Sequence, residues 1–363
     1  MSVNKSEASM STQNTRKSTS AGLNAGKLRY TPRRQQRILL AGTGKAAVAA
    51  ARSILDCGTQ PVLCGAVDPQ PQGDLAEAFP EVPWLGSFDG LGELLVANCV
   101  DELHIALPLK SFAHVIADLQ SAATEVGTAV TMHVDIASWT FGAGATVLQD
   151  RLVIASREHT SVSGPMWMIK RALDVLVAGT GLLLVSPLLA VIVLAIALTS
   201  RGSVLFRQER VGRGQRVFRM LKFRSMVQNA EDLRHRVLAM NNARGISFKI
   251  FDDPRVTRVG AFLRRTSLDE LPQLWNVIGG DMSLVGPRPI PVWVADQLQD
   301  PKLYRRFSVQ PGLTGLWQVE GRQQDFDWMA MQDLRYIDNW SLLLDLRILL
   351  ATIPAMIRGE GAR

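Results

Sequence analysis

The chain has 363 residues, 47% hydrophobic and 20% charged. That is long enough for two or more domains, and a mean hydropathy of +0.09 excludes both a polytopic transporter and a wholly disordered chain. The net charge of +7 suits an anionic partner (nucleic acid, anionic lipid or a phosphorylated substrate), while three cysteines without zinc spacing, Cys57, Cys64 and Cys99, argue against a disulfide framework and for reduced thiols.

Residues 1–35 are rich in Ser, Thr, Asn, Lys and Arg, the composition of a disordered tail. No apolar run follows the basic residues, so this is not a signal peptide. Ile38-Leu39-Leu40-Ala41 then predicts a buried strand, Gly42-Thr43-Gly44 a turn and Lys45–Leu55 a helix. Val62–Asp68, Glu102–Leu107 and Ala129–Val134 predict further strands, with helices over Leu91–Ala97 and Phe112–Val126. This alternation implies βαβ units and a parallel sheet. The expectation is an α/β chain with a Rossmann-like domain at 36–145 and a linker at 146–165.

Gly42-Thr43-Gly44-Lys45-Ala46-Ala47 is a G-x-G-x-x-A turn between a strand and a helix. With Asp68 at the end of the second strand, Gly42, Gly44 and Asp68 are candidate nucleotide ligands. The same glycines can serve strand–helix packing alone. A Tyr-x-x-x-Lys pair is missing, which counts against a nicotinamide-dependent enzyme.

Val175–Ser200 is 26 residues without a charge, enough to cross a bilayer core. Ser186-Pro187 interrupts it, and proline breaks or kinks a helix. Lys170 and Arg171 precede the segment, and Arg201, Arg207, Arg210, Arg213, Arg216 and Arg219 follow it. Basic flanks favour the cytoplasmic side. A re-entrant helix over 166–200 satisfies both ends; a kinked spanning helix is the alternative. The expected catalytic part, 201–363, is mostly helical. Trp317, Trp328 and Trp340 suit a membrane interface. The apolar stretch from Leu342 to Ile357 reads as a helix on the bilayer surface or as ordinary core.

Two acids are adjacent in Ser267-Leu268-Asp269-Glu270-Leu271-Pro272-Gln273-Leu274. Ser267 and Glu270 have capping-box spacing. Arg264 and Arg265 stand just before them, Gly286-Pro287-Arg288-Pro289 after, and Lys222-Phe223-Arg224-Ser225-Met226 upstream. Carboxylates among cations suit phosphate chemistry with a divalent ion.

These motifs, with Lys170-Arg171-x-x-Asp174, Ser186-Pro187, Gly280-Asp281-Met282-Ser283 and Gln310-Pro311-Gly312-Leu313-Thr314-Gly315, resemble the bacterial sugar transferases over about 170–359. These are monotopic phosphoglycosyl transferases that load a sugar-1-phosphate onto polyprenyl phosphate. The larger members also carry a Rossmann-like domain, usually behind several transmembrane helices that have no counterpart in this sequence. The resemblance implies a ping-pong reaction with a UDP-sugar donor; galactose and glucose are the expected hexoses, with N-acetylated sugars the alternative. Asp269 matches the nucleophile and Glu270 its partner acid, the two together holding Mg²⁺. Lys222, Arg224, Arg264 and Arg288 match phosphate-binding residues. Gln310, Gly312, Thr314, Gly315 and Trp317 fall in a nucleotide- or sugar-binding segment. The implied location is the cytoplasmic face of a bacterial inner membrane, and the implied role is initiation of exopolysaccharide, capsule or O-antigen synthesis. The first domain is a candidate for self-association as a homodimer or for nucleotide response. A nicotinamide-dependent nucleotide-sugar enzyme and a membrane scaffold are the rival readings. No nucleic-acid recognition motif appears.

Overall fold

The computed structural model describes residues 35–56, 61–71, 73–135, 151–156, 165–230, 253–321 and 325–358. The expected tail, up to residue 34, lies outside them. In the first part β1 (Arg37–Ala41), α1 (Lys45–Leu55), β2 (Val62–Val67), α2 (Asp74–Ala78), β3 (Trp84–Gly86), α3 (Leu91–Ala97), β4 (Glu102–Ile105), α4 (Leu109–Val126) and β5 (Ala129–Asp135) alternate. The five strands are parallel, in the order β3-β2-β1-β4-β5. Helices cover both faces, which is why the strands are apolar throughout. Leu39, Leu103 and Ile105 pack with α3 and α4; Ile38, Leu40 and Ala66 pack with α1 and α2.

One expectation is corrected here. β6 (Arg151–Ser156), inside the span expected as linker, pairs antiparallel with β5. The open edge of β5 offers unpaired backbone groups, and Leu-Val-Ile-Ala is a fitting partner.

The second part begins with α5 (Pro165–Thr199), a single helical element through Pro187. It is the one helix among the described residues long and apolar enough to cross a membrane. Leu183, Leu184 and Leu198 are each about three-quarters exposed, at 74%, 74% and 77%. The hairpin of β7 (Leu205–Val211) and β8 (Val217–Phe223) follows. Then come α6 (Arg258–Arg265), a 3-10 turn at Leu268–Glu270, α7 (Gln273–Gly279), β9 (Ser283–Val285), α8 (Val292–Ala295), a 3-10 helix at Pro301–Ser308 and β10 (Gly312–Thr314). α9 (Leu316–Val319), α10 (Phe326–Asp338) and α11 (Leu342–Arg358) complete the chain. Ala178 and Leu182 of α5 share a core with Leu274, Val277, Leu284, Tyr336, Trp340 and Ile348.

Trp340 is therefore buried, not at an interface. α11 divides its apolar residues: Ile348 enters the core, while Leu343, Leu346, Leu350 and Ile353 are exposed.

Buried polar bonds fasten α5 to this body. Lys170 Nζ donates to Asp345 Oδ2 at 2.6 Å and to the Val285 carbonyl at 3.2 Å. Tyr336 and Trp340 also donate to Asp345, at 2.8 and 3.3 Å. Asp174 accepts from Ser283 Oγ at 2.7 Å. Arg171 donates to the Val277 and Ile278 carbonyls at the end of α7, at 2.6 and 2.8 Å, where the last carbonyls of a helix look for donors beyond it. The two parts of the chain meet where Arg216 pairs with Asp101 at 2.7 Å. They meet again where Gly127, at the end of α4, lies against Arg305 and Ser308.

Candidate active site

The turn carrying Asp269 is built from three local features. The Thr257 side chain caps α6 by accepting from Gly260 N at 2.9 Å. Gly260 has no room for a side chain: a Cβ there would lie 1.9 Å from the Ser225 carbonyl oxygen. α6 thus rests directly on the chain leaving β8, and Arg264 Nε donates to Ser225 Oγ at 2.9 Å. Ser267 then takes φ +56°, a left-handed conformation uncommon outside glycine. The capping box does not form. The Ser267 side chain caps nothing, and the Glu270 carboxylate turns instead to Lys222 and Arg288.

Lys222 Nζ lies 2.7 Å from Glu270 Oε1, and Arg288 Nη2 lies 3.3 Å from the same oxygen. Arg288 also stacks over the Trp317 ring, 5.2 Å from its centroid. Asp269 is buried and makes no hydrogen bond among the described residues. Burial pushes its carboxyl above the ordinary value, with Glu270 adding to the rise; Lys222, Arg264 and Arg288 oppose it. Burial acts on Glu270 in the same direction, but Lys222 and Arg288 outweigh it and hold that carboxyl well below the usual range. Among the described residues the site therefore pairs a tightly bonded carboxylate with one that has no hydrogen bond.

Both acids line a cavity of about 1000 Å³, together with Lys222, Arg224, Arg264, Arg288, Thr314 and Trp317. Its apolar side is formed by Val177, Phe206, Leu313, Leu349 and Ile353. Not every predicted residue faces the acids. Arg224 gives its guanidinium to the end of α5, donating to Ser200 O at 2.8 Å and Ser203 O at 2.5 Å. Gln310 accepts from Trp167 at 3.4 Å. Gly312 and Gly315 permit close backbone packing on Gly286, where a Cβ would fall 2.1 and 2.4 Å from backbone atoms. They shape the wall and do not line the cavity.

In the first part, Gly42 has φ +118° and abuts the Ala106 carbonyl. The Asp68 carboxylate accepts from Thr43 N at 3.0 Å and Gln70 N at 2.9 Å. Its oxygens thus brace the glycine turn itself. Space is open around Gly44.

Gln208, Arg210 and Arg255 also line the cavity, and the sequence reading passes over them. Phe206 is opposite Lys222 in the hairpin. Two-residue alternation then puts Gln208 and Arg210 on the same face, a signal available once Leu205–Val211 is read as a strand.

Residues 165–359, just over half of the chain, match the bacterial sugar transferase family. The chain is 36% identical over 287 residues to the galactosyl transferase CpsE of Streptococcus agalactiae, covering 76% of this chain and 62% of that protein. It is 33% identical over 306 residues to the UDP-glucose:undecaprenyl-phosphate glucose-1-phosphate transferase of Escherichia coli, covering 79% of this chain and 60% of that one. It is 42% identical over 216 residues to the exopolysaccharide production protein ExoY of Rhizobium meliloti, covering 56% of this chain and 93% of ExoY. The chain thus spans less than two thirds of the first two relatives.

Proposed function

Because this chain belongs to the bacterial sugar transferase family, we propose that it transfers a hexose-1-phosphate from a UDP-sugar to polyprenyl phosphate, releasing UMP and initiating exopolysaccharide, capsule or O-antigen synthesis. The observation that carries this reading is the Asp269 carboxylate, buried in a cavity with Lys222, Arg264 and Arg288 and without a hydrogen bond among the described residues.

In the first step an Asp269 oxygen attacks the β-phosphorus of the donor. The bond from that phosphorus to the bridging oxygen breaks, and UMP leaves with the electron pair. In the second step a polyprenyl phosphate oxygen attacks the same phosphorus and the Asp269 carboxylate is regenerated. Splitting the transfer in two is the advantage of a carboxylate nucleophile. Lys222, Arg264 and Arg288 supply fixed positive charge where negative charge gathers on the phosphoryl group. Glu270 holds Lys222 and Arg288 in place.

The donor set also fits Mg²⁺, which commonly takes one or two carboxylates and completes its shell with phosphate and water. Among the described residues Asp269 has no hydrogen-bond partner, and Glu270 directs only Oε1 to its two cations. Bound there, the ion would neutralise diphosphate charge. Among the described residues no group of three His, Cys, Asp or Glu could form a fuller site.

The lipid acceptor calls for a site at the bilayer surface, and the apolar half of the cavity beside α5 and α11 suits that. A re-entrant α5, with both ends at the cytoplasmic face of the inner membrane, has support in bond geometry. A straight helix would set Ser200 about 44 Å from Arg171. Yet Arg171 reaches Val277 O at 2.6 Å, neighbouring Asn276 accepts from Leu221 N at 2.9 Å, and Arg224, three residues on, reaches Ser200 O at 2.8 Å. That relay spans such a length only if every link lies on one line, so a bend at Ser186-Pro187 is the better fit. The family match over residues 165–359 and the near-complete coverage of ExoY support the second part of the chain as the catalytic unit. The first part, with the strand order of a Rossmann-like sheet, is then an accessory domain for self-association or nucleotide response.

The test is UMP release from a panel of UDP-sugars by protein in nanodiscs with Mg²⁺, with and without polyprenyl phosphate. Release by the wild type that Asp269→Asn abolishes supports the reading and names the donor. No release from any donor, or equal release by the variant, overturns it.

A further inference from the structure

Arg288 lies between Pro287 and Pro289, so it is the one residue of that triplet with a backbone N–H. Its carbonyl is held by a buried ion pair. Arg306 Nη2 donates to the Arg288 carbonyl at 3.1 Å, and Arg306 is itself bonded to the Asp333 carboxylate. Arg306 and Asp333 are each only 2% exposed, and the Arg306 guanidinium sits 5.4 Å above the Phe326 ring.

Such a pair is a poor device for stability. Desolvating two charges consumes most of what their attraction returns, and apolar residues of similar volume commonly serve as well. Here Arg306 Nη1 also lacks a hydrogen-bond partner among the described residues. What the pair does provide is a charge-assisted hold on the backbone carbonyl of a single residue, Arg288, whose side chain projects into the cavity between Glu270 and Trp317. A lysine at 306 could neutralise Asp333, but it lacks the planar fork that reaches a carboxylate and a carbonyl together.

We propose that Arg306 and Asp333 are positioning residues for the transfer reaction, clamping the Arg288 backbone so that its guanidinium is held over the transferred phosphoryl group. The inference rests on the reading of Asp269, Lys222 and Arg288 as the phosphoryl-transfer site.

The experiment measures UMP release by the full-length protein in nanodiscs at saturating donor, for Arg306→Lys and Asp333→Asn. Each is made alone and in an Arg288→Ala background, with thermal unfolding followed in parallel. Each single variant should unfold cooperatively and lose about tenfold or more in kcat, as expected when a charge-assisted contact slips out of place. In the Arg288→Ala background the same changes should cost less than about twofold, because residues acting through one side chain are not additive. Equal losses in both backgrounds, wild-type rates in both single variants, or loss of the unfolding transition in both would overturn the proposal. A wild type without UMP release, or an active Asp269→Asn, would instead sink the functional reading beneath it.

Discussion

Replacing Asp345 by Ala tests how α5 is held. The Asp345 carboxylate accepts from Lys170 at 2.6 Å, Tyr336 at 2.8 Å and Trp340 at 3.3 Å. Without it, the Lys170 ammonium stays buried with the Val285 carbonyl and Asp174, the latter at 3.9 Å. Breaking one side of a buried pair costs roughly 3–5 kcal/mol, and Asp174 keeps the loss towards the lower end. At about 2–4 °C per kcal/mol for a body of this size, the unfolding midpoint should fall by about 10 °C. Tryptophan fluorescence of the nanodisc-held protein reads this out, since Trp340 itself contacts the lost group. Replacing the pair with Lys170→Met and Asp345→Leu together should recover part of the loss, because no ammonium is then stranded. A fall below about 3 °C for Asp345→Ala, or a double variant less stable than the single one, would refute the reasoning.

Gly260→Ala should abolish UMP release, because its Cβ would collide with the Ser225 carbonyl 1.9 Å away and lift α6, with Arg264, off the site; normal activity would show that the helix rests elsewhere. Ser267→Gly should keep activity and stabilise by about 1 kcal/mol, since glycine adopts the +56° φ without strain; destabilisation in thermal unfolding would count against a strained turn. The acid limb of UMP release should titrate above the ordinary carboxylate value, because the nucleophile must be ionised and burial raises Asp269. In Glu270→Gln the residual activity should show that limb at lower pH, since removing the neighbouring negative charge makes Asp269 easier to ionise. An unmoved limb would assign it to another group.

The long elements were legible because burial on both faces leaves continuous apolar runs, as in Ile38–Ala41 and Val62–Val67. α2 and β3 were not, because five and three residues are too few to display a period. The strand β6 depends on the open edge of β5, a feature of the assembled sheet. At the site, the clustering of Lys222, Arg264, Asp269, Glu270 and Arg288 was readable from charge. Side-chain direction was not. Lys222 and Arg224 are two apart, yet β8 ends at Phe223, so Arg224 leaves the strand face and swings to the end of α5. Gly312 and Gly315 looked like ligand contacts because close backbone approach demands glycine whether the approaching group is a phosphate or the chain at Gly286. The grip of Arg306 and Asp333 on Arg288 joins three distant segments and has no local signature.

The bond between Lys170 and Asp345 joins positions 175 residues apart in the chain. It follows that α5 is translated long before the carboxylate that Lys170 pairs with. Until then the carboxylate beside Lys170 is that of Asp174, one turn along the same helix. Completion of this bond thus awaits α11, and a chain that terminates ahead of residue 345 leaves Lys170 without that partner.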